Sequence, residues 1–201
     1  YASNSTYKGL QHSGNLVYNE CTFDGQVFLY GQSETFNKCT FNQTTNNYNV
    51  WTYGAKVVVF NECTFNCAGK SVLIYAESAS VTNDVSVTKC KFLASQAVEG
   101  KAAIEMDSSL QGAITLTIDG ETTAEGFGTG NVSGNSLWNN KKGNDTEANN
   151  DITVTVDGNV VLKPIYSVST KAELNAAISS AQDGDIVKMT ADIDYSTDQL
   201  A

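Results

Sequence analysis

The sequence contains no arginine, a single proline and a single histidine among its 201 residues. With 22 acidic residues against 12 lysines, and a net charge of -10, the chain lacks the basic surface that recognition of phosphate backbones requires. Nucleic acid is therefore not an expected partner. No hydrophobic run approaches the roughly 18 residues of a membrane span, so membrane insertion is not expected either. The hydrophobic fraction of 41% and the single proline exclude collagen-like and low-complexity classes.

A short repeated segment dominates the first half of the chain. The copies read NECTF, NKCTF, NECTF and TKCKF, and they occupy 19–23, 37–41, 61–65 and 88–92. Their cysteines are 18, 24 and 27 residues apart, which is too irregular for a helical solenoid but natural for constant strands joined by variable loops. A second set, VFLY, VWTY, VLIY and AIEM, follows successive copies, with LWNN at 137–140 as a fifth member. Apolar residues alternate before each copy, which indicates strands.

This alternation breaks just before each repeated cysteine. Tyr18 and Cys21, for example, are three positions apart and would face opposite sides of one continuous strand. A bend must lie between them. Because asparagine tolerates the left-handed backbone conformation and its side chain can hydrogen-bond to an equivalent one, Asn19, Asn37 and Asn61 are predicted to be buried turn residues stacked in a ladder.

Three short strands per repeat, each pairing with its equivalent in the next repeat, describe a coil with parallel sheets. The sequence resembles the right-handed parallel β-helix of the pectate-lyase-like superfamily, and in VWTYG, FNECTFN and GKAAIEMD it is similar to repeats of bacterial surface and adhesin-like proteins. The resemblance covers about residues 7 to 160 and implies an all-β fold of about six coils and three sheets. Later strands at 114–119 and 152–157 are expected to continue it.

The last part of the chain changes character. Thr170 and Glu173 have the spacing of a capping box, and apolar residues then recur at helical intervals. A strand is expected at 186–193. We therefore expect a β-helix over 1–163 and a helix-plus-strand segment over 164–201, which resembles the cap that opens such domains and is expected to begin a following repeat.

The five cysteines suggest a disulfide or a zinc site, but their positions favour packing. One cysteine recurs at an equivalent inward position of each repeat, where a free thiol packs as a small hydrophobic group. The positions are Cys21, Cys39, Cys63 and Cys90. Cys67 is the most plausible reactive thiol. No cofactor is expected; calcium stays open because Asp192, Asp194 and Asp198 form an acidic loop, although it lacks the glycine of a calcium loop.

An aromatic ladder follows the repeats and is either a carbohydrate platform or part of the core. Its members are Phe28, Tyr30, Trp51, Tyr53 and Tyr75. If these side chains faced outward, the alternate set, taken to include Glu105, would face inward, and an unpaired buried carboxylate is costly. The alternation therefore favours an inward aromatic ladder. The set expected outside is Val27, Leu29, Val50, Thr52, Val72 and Ile74.

Enzymes of the superfamily that the chain resembles are lyases or hydrolases acting on acidic polysaccharides. The lyases use an arginine or lysine base beside carboxylates that bind calcium, and the hydrolases use close pairs of aspartates. The chain has no arginine and no adjacent aspartate pair. If it were an enzyme, its catalytic carboxylates would be Glu105, Asp107 and Asp119.

Loops that follow the repeats lengthen along the chain, and binding residues are often found on such loops. The resemblance implies that these loops border a ligand groove. The candidate residues for a weak glycan site are Tyr48, Glu99, Phe127, Asn131, Asn135 and Trp138.

These observations predict a non-catalytic adhesin or stalk module at the cell surface or outside the cell, with a glycan or host surface as its partner. The alternatives are a polysaccharide lyase or glycoside hydrolase fragment and a phage tail-fibre or tailspike module. Because an open end of a β-helix exposes unpaired strands, we also expect head-to-tail self-association. In this contact Leu174, Ile178 and Ile186 would meet the Leu10 and Leu16 region of a neighbour.

Overall fold

The structure is a computed structural model that describes residues 2–12, 14–107, 112–141, 152–163, 165–181 and 185–194. Short strands make up most of it, and one helix lies near the C-terminus. The strands are β1 (Ala2–Ser3), β2 (Thr6–His12), β3 (Leu16–Asn19), β4 (Thr22–Leu29), β5 (Ser33–Asn37), β6 (Thr40–Asn42), β7 (Val50–Trp51), β8 (Val57–Asn61), β9 (Thr64–Cys67), β10 (Val72–Tyr75), β11 (Thr82–Thr88), β12 (Lys91–Ala94), β13 (Ile104–Asp107), β14 (Ala113–Ile118), β15 (Thr123–Glu125), β16 (Trp138–Lys141), β17 (Ile152–Val156), β18 (Asn159–Leu162), β19 (Ile165–Val168) and β20 (Ile186–Met189). The helix is α1 (Lys171–Ser180).

Two large sheets contain most of these strands. The first sheet has the order β1-β3-β5-β8-β11-β14-β17-β18, and all its pairs are parallel except β17 with β18. The second sheet has ten strands in the order β15-β12-β9-β6-β4-β7-β10-β13-β16, with β2 beside β4, and its pairs are parallel. The prediction of an all-β chain built from parallel sheets is confirmed at this level.

The second sheet has two arms that meet in the long strand β4. The beginning of β4 pairs with β6, and its end pairs with β7. Gly25 lies between these halves with a φ of 100°, a conformation that favours glycine. We call the strands from β4 through β6 to β15 the early arm, and those from β4 through β7 to β16 the late arm. From β3 to β17 the chain visits the first sheet, the early arm and the late arm in that order, again and again.

Equivalent side chains stack on one another in the core. One row of phenylalanines runs along the early arm, with ring centroids 4.9, 4.7 and 4.5 Å apart from Phe23 through Phe41 and Phe65 to Phe92. A second row on the first sheet packs against it edge to face, as Phe36 does against Phe23 at 5.5 Å. Parallel pairing in register brings identical residues together, and aromatic pairs add stability beyond the area they bury.

The repeated cysteines form a third row. Cys21, Cys39, Cys63 and Cys90 are free thiols, each at most 1% exposed, so the prediction that they pack in the core is confirmed. The Cys63 thiol donates to the Phe36 carbonyl oxygen at 3.3 Å. Hydrogen bonding with the thiols of Cys39 and Cys90, together with burial, raises the pKa of Cys63. Cys67 is also buried, and burial raises its pKa to about 11, so the structure gives it no sign of a reactive thiol.

The asparagine ladder exists, but the asparagines do not make the bend. Asn37 Nδ2 donates to Asn19 Oδ1 at 2.8 Å, and Asn61 Nδ2 donates to Asn37 Oδ1 at 2.8 Å. The three side chains are half-buried rather than fully buried. The left-handed backbone falls on the next residue, with φ values of 54° at Glu20, 52° at Lys38, 53° at Glu62 and 52° at Lys89. The expectation that asparagine adopts this conformation was therefore wrong: each of these three asparagines is the last residue of an extended strand, and the exposed residue after it turns the chain.

The C-terminal segment contains the only helix among the described residues and a separate two-stranded sheet, β19 with β20. Helix α1 starts with the predicted capping box, in which Glu173 N–H donates to Thr170 Oγ1 at 3.3 Å and Thr170 N–H donates to Glu173 Oε2 at 3.1 Å. Strand β20 is shorter than predicted and pairs in parallel with β19. The boundary at residues 163–164 stays a prediction. Among the described residues, no helix combines the length and apolar character needed to cross a membrane.

The asparagine ladder makes a direct prediction about stability. Replacing Asn61 with alanine removes the amide that donates to Asn37, which leaves a half-buried acceptor without that donor. We expect the free energy of unfolding to fall by about 1–3 kcal/mol in a denaturant titration. Asn47→Ala is the matched control, because Asn47 is exposed in a loop and should cost almost nothing. Equal midpoints for the two variants would show that the ladder does not stabilise the fold.

Candidate functional site

The outer face of the late arm carries the aromatic ladder, which corrects the expectation that these rings lie in the core. Val27, Val50 and Val72 are 0–1% exposed and line the interior. The residues that follow each of them in the strand point the other way, and the rings of Phe28 and Trp51 are only partly buried. We call the five aromatic residues of this face the outer strip: Phe28, Tyr30, Trp51, Tyr53 and Tyr75.

The error came from the register assumed for Glu105, which was placed in the set of residues that alternates with the aromatic ones. The register pairs Glu105 with Leu73, and Leu73 with Trp51, so all three lie on the outer face. Glu105 is nevertheless 0% exposed, because neighbouring chain segments cover it. Its Oε1 accepts a hydrogen bond of 2.8 Å from the Ala102 N–H, and its Oε2 lies 3.5 Å from Lys101 Nζ. A carboxylate on the outside of the sheet is thus buried and well partnered.

The rings of the outer strip contact one another closely. Centroids are 6.0 Å apart for Phe28 and Trp51, 5.1 Å for Tyr30 and Tyr53, and 5.0 Å for Trp51 and Tyr53, with planes within 27° of parallel. Tyr75 is turned by 86° from Trp51 and by 78° from Tyr53. Among the described residues, no ring stacks face to face on Tyr75.

Carboxylates continue the strip along the sheet. Tyr75 pairs with Asp107 in register, and Leu73 pairs with Glu105. Burial and the nearby charges of Asp107 and Glu77, together with Tyr53, raise the pKa of Tyr75. One end of the face is therefore aromatic and the other is acidic, which disfavours an anionic ligand.

Tyr48 contacts the aromatic end of this face and lies close to the carboxylates of its acidic end. Its ring meets Trp51 edge to face at 6.3 Å, and Lys70 Nζ lies 5.8 Å from its centroid. Burial, and then the charges of Glu105 and Asp107, raise the pKa of the Tyr48 phenol well above its usual value. The loop that precedes β7 thus places a phenol near carboxylates of β13, on the far side of β10.

Of the residues proposed for catalysis, two lie together and one does not. Glu105 and Asp107 project from the same face of β13, and they are 0% and 5% exposed. Asp119 follows β14 in the first sheet, where it accepts hydrogen bonds from Lys89 N–H and from Thr122. Burial alone would raise the pKa of Asp119, but these hydrogen bonds outweigh it and lower the pKa. Asp119 is a turn-stabilising residue in this structure.

The remaining loop candidates form two small groups apart from Tyr48. Glu99 is exposed beside Gly100, and the Asn131 side chain packs against Gly100. Asn135 and Trp138 line a cavity of about 430 Å³ with Val132, Ser133, Val156, Val161 and Leu162. Phe127 and Trp138 are 9% and 7% exposed and belong to the hydrophobic core, which leaves little ring surface for a sugar. Their role in ligand binding stays a prediction, as does calcium binding.

The residues proposed for assembly are partly accessible. Ile178 and Ile186 are 45% and 54% exposed, and Leu174 is half-buried. Leu16 packs against the core. Leu10 lies in β2, but its side chain is outside the described part of the structure.

The raised pKa of the half-buried Tyr48 predicts a pH dependence of stability. The folded chain keeps a proton that the unfolded chain releases near pH 10, so this contribution is present below about pH 10 and is lost as the pH rises above it. Tyr48→Phe cannot ionise in either state. We expect its unfolding free energy to fall less than that of the parent between about pH 9 and pH 11 in urea titrations. Equal falls for the parent and Tyr48→Phe would contradict the raised pKa of this phenol.

No family model matches the chain, and no curated protein and no solved structure matches it either. The outer strip and the carboxylates beside it are therefore the features from which a function has to be inferred.

Proposed function

We propose that this chain is a non-catalytic module of a secreted or cell-surface protein that binds a glycan along the outer strip. Its fold would be a right-handed parallel β-helix of about six coils, with the first sheet and the two arms as its three sides. The repeated order of first sheet, early arm and late arm supports this description. So do the in-register rows of phenylalanine, cysteine and asparagine.

The observation that carries the proposal is the outward direction of five aromatic side chains on one sheet face. Aromatic residues usually bury their large apolar surface, so a row of them outside the core is a feature that folding alone does not require. Tyr30, Tyr53 and Tyr75 also bring phenolic hydroxyls, which donate and accept hydrogen bonds. A ligand with both apolar faces and many hydroxyl groups, such as a sugar chain, suits this combination.

The charge of the face selects among glycans. Glu105 and Asp107 lie in register beyond the aromatic rings, and Glu77 is close enough to raise the pKa of Tyr30, after burial and Tyr53. The whole chain carries a net charge of -10. An anionic polymer would be repelled here, so the proposed ligand is neutral.

Substitutions in the outer strip test this proposal. We expect Tyr75→Ala and Trp51→Ala each to weaken binding of neutral oligosaccharides selected on a glycan array by about tenfold, or about 1.4 kcal/mol, in titration calorimetry. Tyr166→Ala, outside the strip, should bind as the parent does. No binding of any neutral glycan by the parent, or equal affinities for all variants, would contradict the proposal.

A product assay on glycans incubated with the protein separates binding from catalysis. Oligogalacturonate and the neutral glycans are incubated with the parent, and their products are assayed for new reducing ends and for unsaturated sugars. We expect none above background, since Glu105 is fully covered and partnered by Lys101 and the Ala102 N–H. Turnover that disappears in Asp107→Asn would instead support the lyase or hydrolase alternative.

A second proposal concerns self-association. The C-terminal segment exposes Ile178, Ile186 and Met189, the last at 64%. Exposed apolar side chains on a short helix and on the strand that it contacts indicate surfaces that another chain covers, and a contact between unlike surfaces propagates head to tail.

Light scattering tests this contact. We expect the parent to form species larger than a monomer, and the double variant Ile178→Ser with Ile186→Ser to reduce their size. Val57→Ser is the control, because Val57 is 37% exposed on the first sheet and lies outside the segment. A monomeric parent, or a double variant of unchanged size, would contradict the assembly.

A further inference from the structure

A lysine and an asparagine meet on one buried carboxylate at the end of the late arm. Lys101 Nζ lies 3.5 Å from Glu105 Oε2, and Asn139 Nδ2 donates to the same oxygen at 3.3 Å and to Oε1 at 3.5 Å. The Glu105 and Asn139 side chains lie together because Glu105 of β13 pairs in register with Asn139 of β16. Residues far apart in the sequence are thus held around a single acid.

This group is shielded from water. Glu105 is 0% exposed, Asn139 is 2% exposed, and the Lys101 side chain is 22% exposed. Gly130 packs against Asn139 so closely that an added Cβ would lie 2.7 Å from the Asn139 Cβ. Burial of charged and amide groups is costly unless they interact, and here each of the three has a partner within the group.

The asparagine carbonyl is polarised as well. Its Oδ1 accepts a hydrogen bond of 3.0 Å from the Val132 N–H. The amide nitrogen also donates to the Gly100 carbonyl oxygen at 3.4 Å. A backbone N–H directed at a carbonyl oxygen stabilises the negative charge that develops there when a nucleophile attacks the carbon. The surroundings of Asn139 therefore favour attack at Cγ.

From this geometry we propose that Lys101 and Asn139 form an intramolecular amide bond, with Glu105 as the proton carrier. Glu105 takes a proton from the Lys101 ammonium group, and the neutral Nζ attacks Asn139 Cγ. The charge on Oδ1 rests on the Val132 N–H. Glu105 then returns a proton to Nδ2, the bond between Cγ and Nδ2 breaks, and ammonia leaves. The remaining extra proton on Nζ passes to the ammonia, so lysine ammonium and asparagine amide become a secondary amide and ammonium, with no oxidant or further reactant.

The bond would fasten the chain before β13 to the neighbouring strand β16. Strands at the end of a stacked sheet have a neighbour on one side only and open more easily than those in the middle. A covalent link across this pair would resist such opening. It uses none of the outer-strip rings, so it stands or falls independently of glycan binding.

Intact-mass spectrometry tests the proposal on the full chain. We expect the purified parent, after prolonged incubation near neutral pH, to weigh about 17 Da less than its sequence, which is the mass of one ammonia. Lys101→Met, Glu105→Gln and Asn139→Ala should each have the mass of their sequence. Asn131→Ala and Lys91→Met, which alter an exposed asparagine and an exposed lysine outside this group, should keep the loss.

Proteolysis then locates the bond. Trypsin should not cut after Lys101 in the parent, and a protease that cuts after glutamate at Glu121 and Glu125 should leave two pieces joined through Lys101 and Asn139. A cyclic imide at a single asparagine also loses ammonia, but it leaves cleavage after Lys101 unaffected.

The result that overturns the proposal is equally clear. A parent with its full sequence mass, or a loss of ammonia with normal cleavage at Lys101, would show that the three side chains form only hydrogen bonds and an ion pair. Circular dichroism of each variant establishes that it is folded. Lys101→Met is the decisive variant because its side chain is partly exposed and its replacement keeps the apolar stem.

Discussion

Parallel pairing in exact register is the constraint on which the rest of this structure depends. Each strand aligns with its equivalent in the next repeat, so Phe41 pairs with Phe65 and Asn37 with Asn61. The backbone hydrogen bonds set the spacing between strands at about 4.8 Å, which is close to the separation at which aromatic rings stack. One geometric rule therefore satisfies the peptide groups, fills the core with rows of like side chains and links the asparagine amides. A shift of register by one residue would reverse all of these rows at once.

The same rule explains what could be predicted from the sequence. The strands, the cysteine row and the asparagine ladder follow from a repeat that is visible in the residues themselves, and the capping box of α1 follows from Thr170 and Glu173. The bend was placed one residue too early. Asparagine is the usual choice for a left-handed backbone, but here its side chain is committed to the ladder, so Lys38 and Glu62 adopt that conformation at the surface.

The face of the aromatic strip could not be predicted in this way. Alternation along a strand defines two sets of residues but does not say which one is inside, and the choice rested on placing Glu105 in the set that alternates with the aromatic residues. The register instead places Glu105 in the row of Trp51 and Leu73. Its burial there depends on contacts from Lys101, Ala102 and Asn139, and the last of these comes from another repeat. The valine and isoleucine row, which runs from Val27 through Val50 and Val72 to Ile104, is as regular as the aromatic one. It was the better indication of the interior, because branched aliphatic side chains pack well between parallel sheets.

Register also determines how chemistry arises on this scaffold. A position on the outer face of one strand has a fixed neighbour on the next strand, so a row can change from Trp51 to Leu73, Glu105 and Asn139 while its backbone stays the same. Where the row is aromatic, its rings stack on the outer face of the sheet. Where the row becomes polar and loops cover it, the same stacking places the Glu105 carboxylate beside the Asn139 amide. In water, solvent molecules would separate these two groups. Desolvation makes such contacts strong and makes unpaired groups costly, so the polar side chains at the end of the late arm are held against one another. A regular ladder is thus a means of bringing unlike groups together, once a single member of the row differs from the rest.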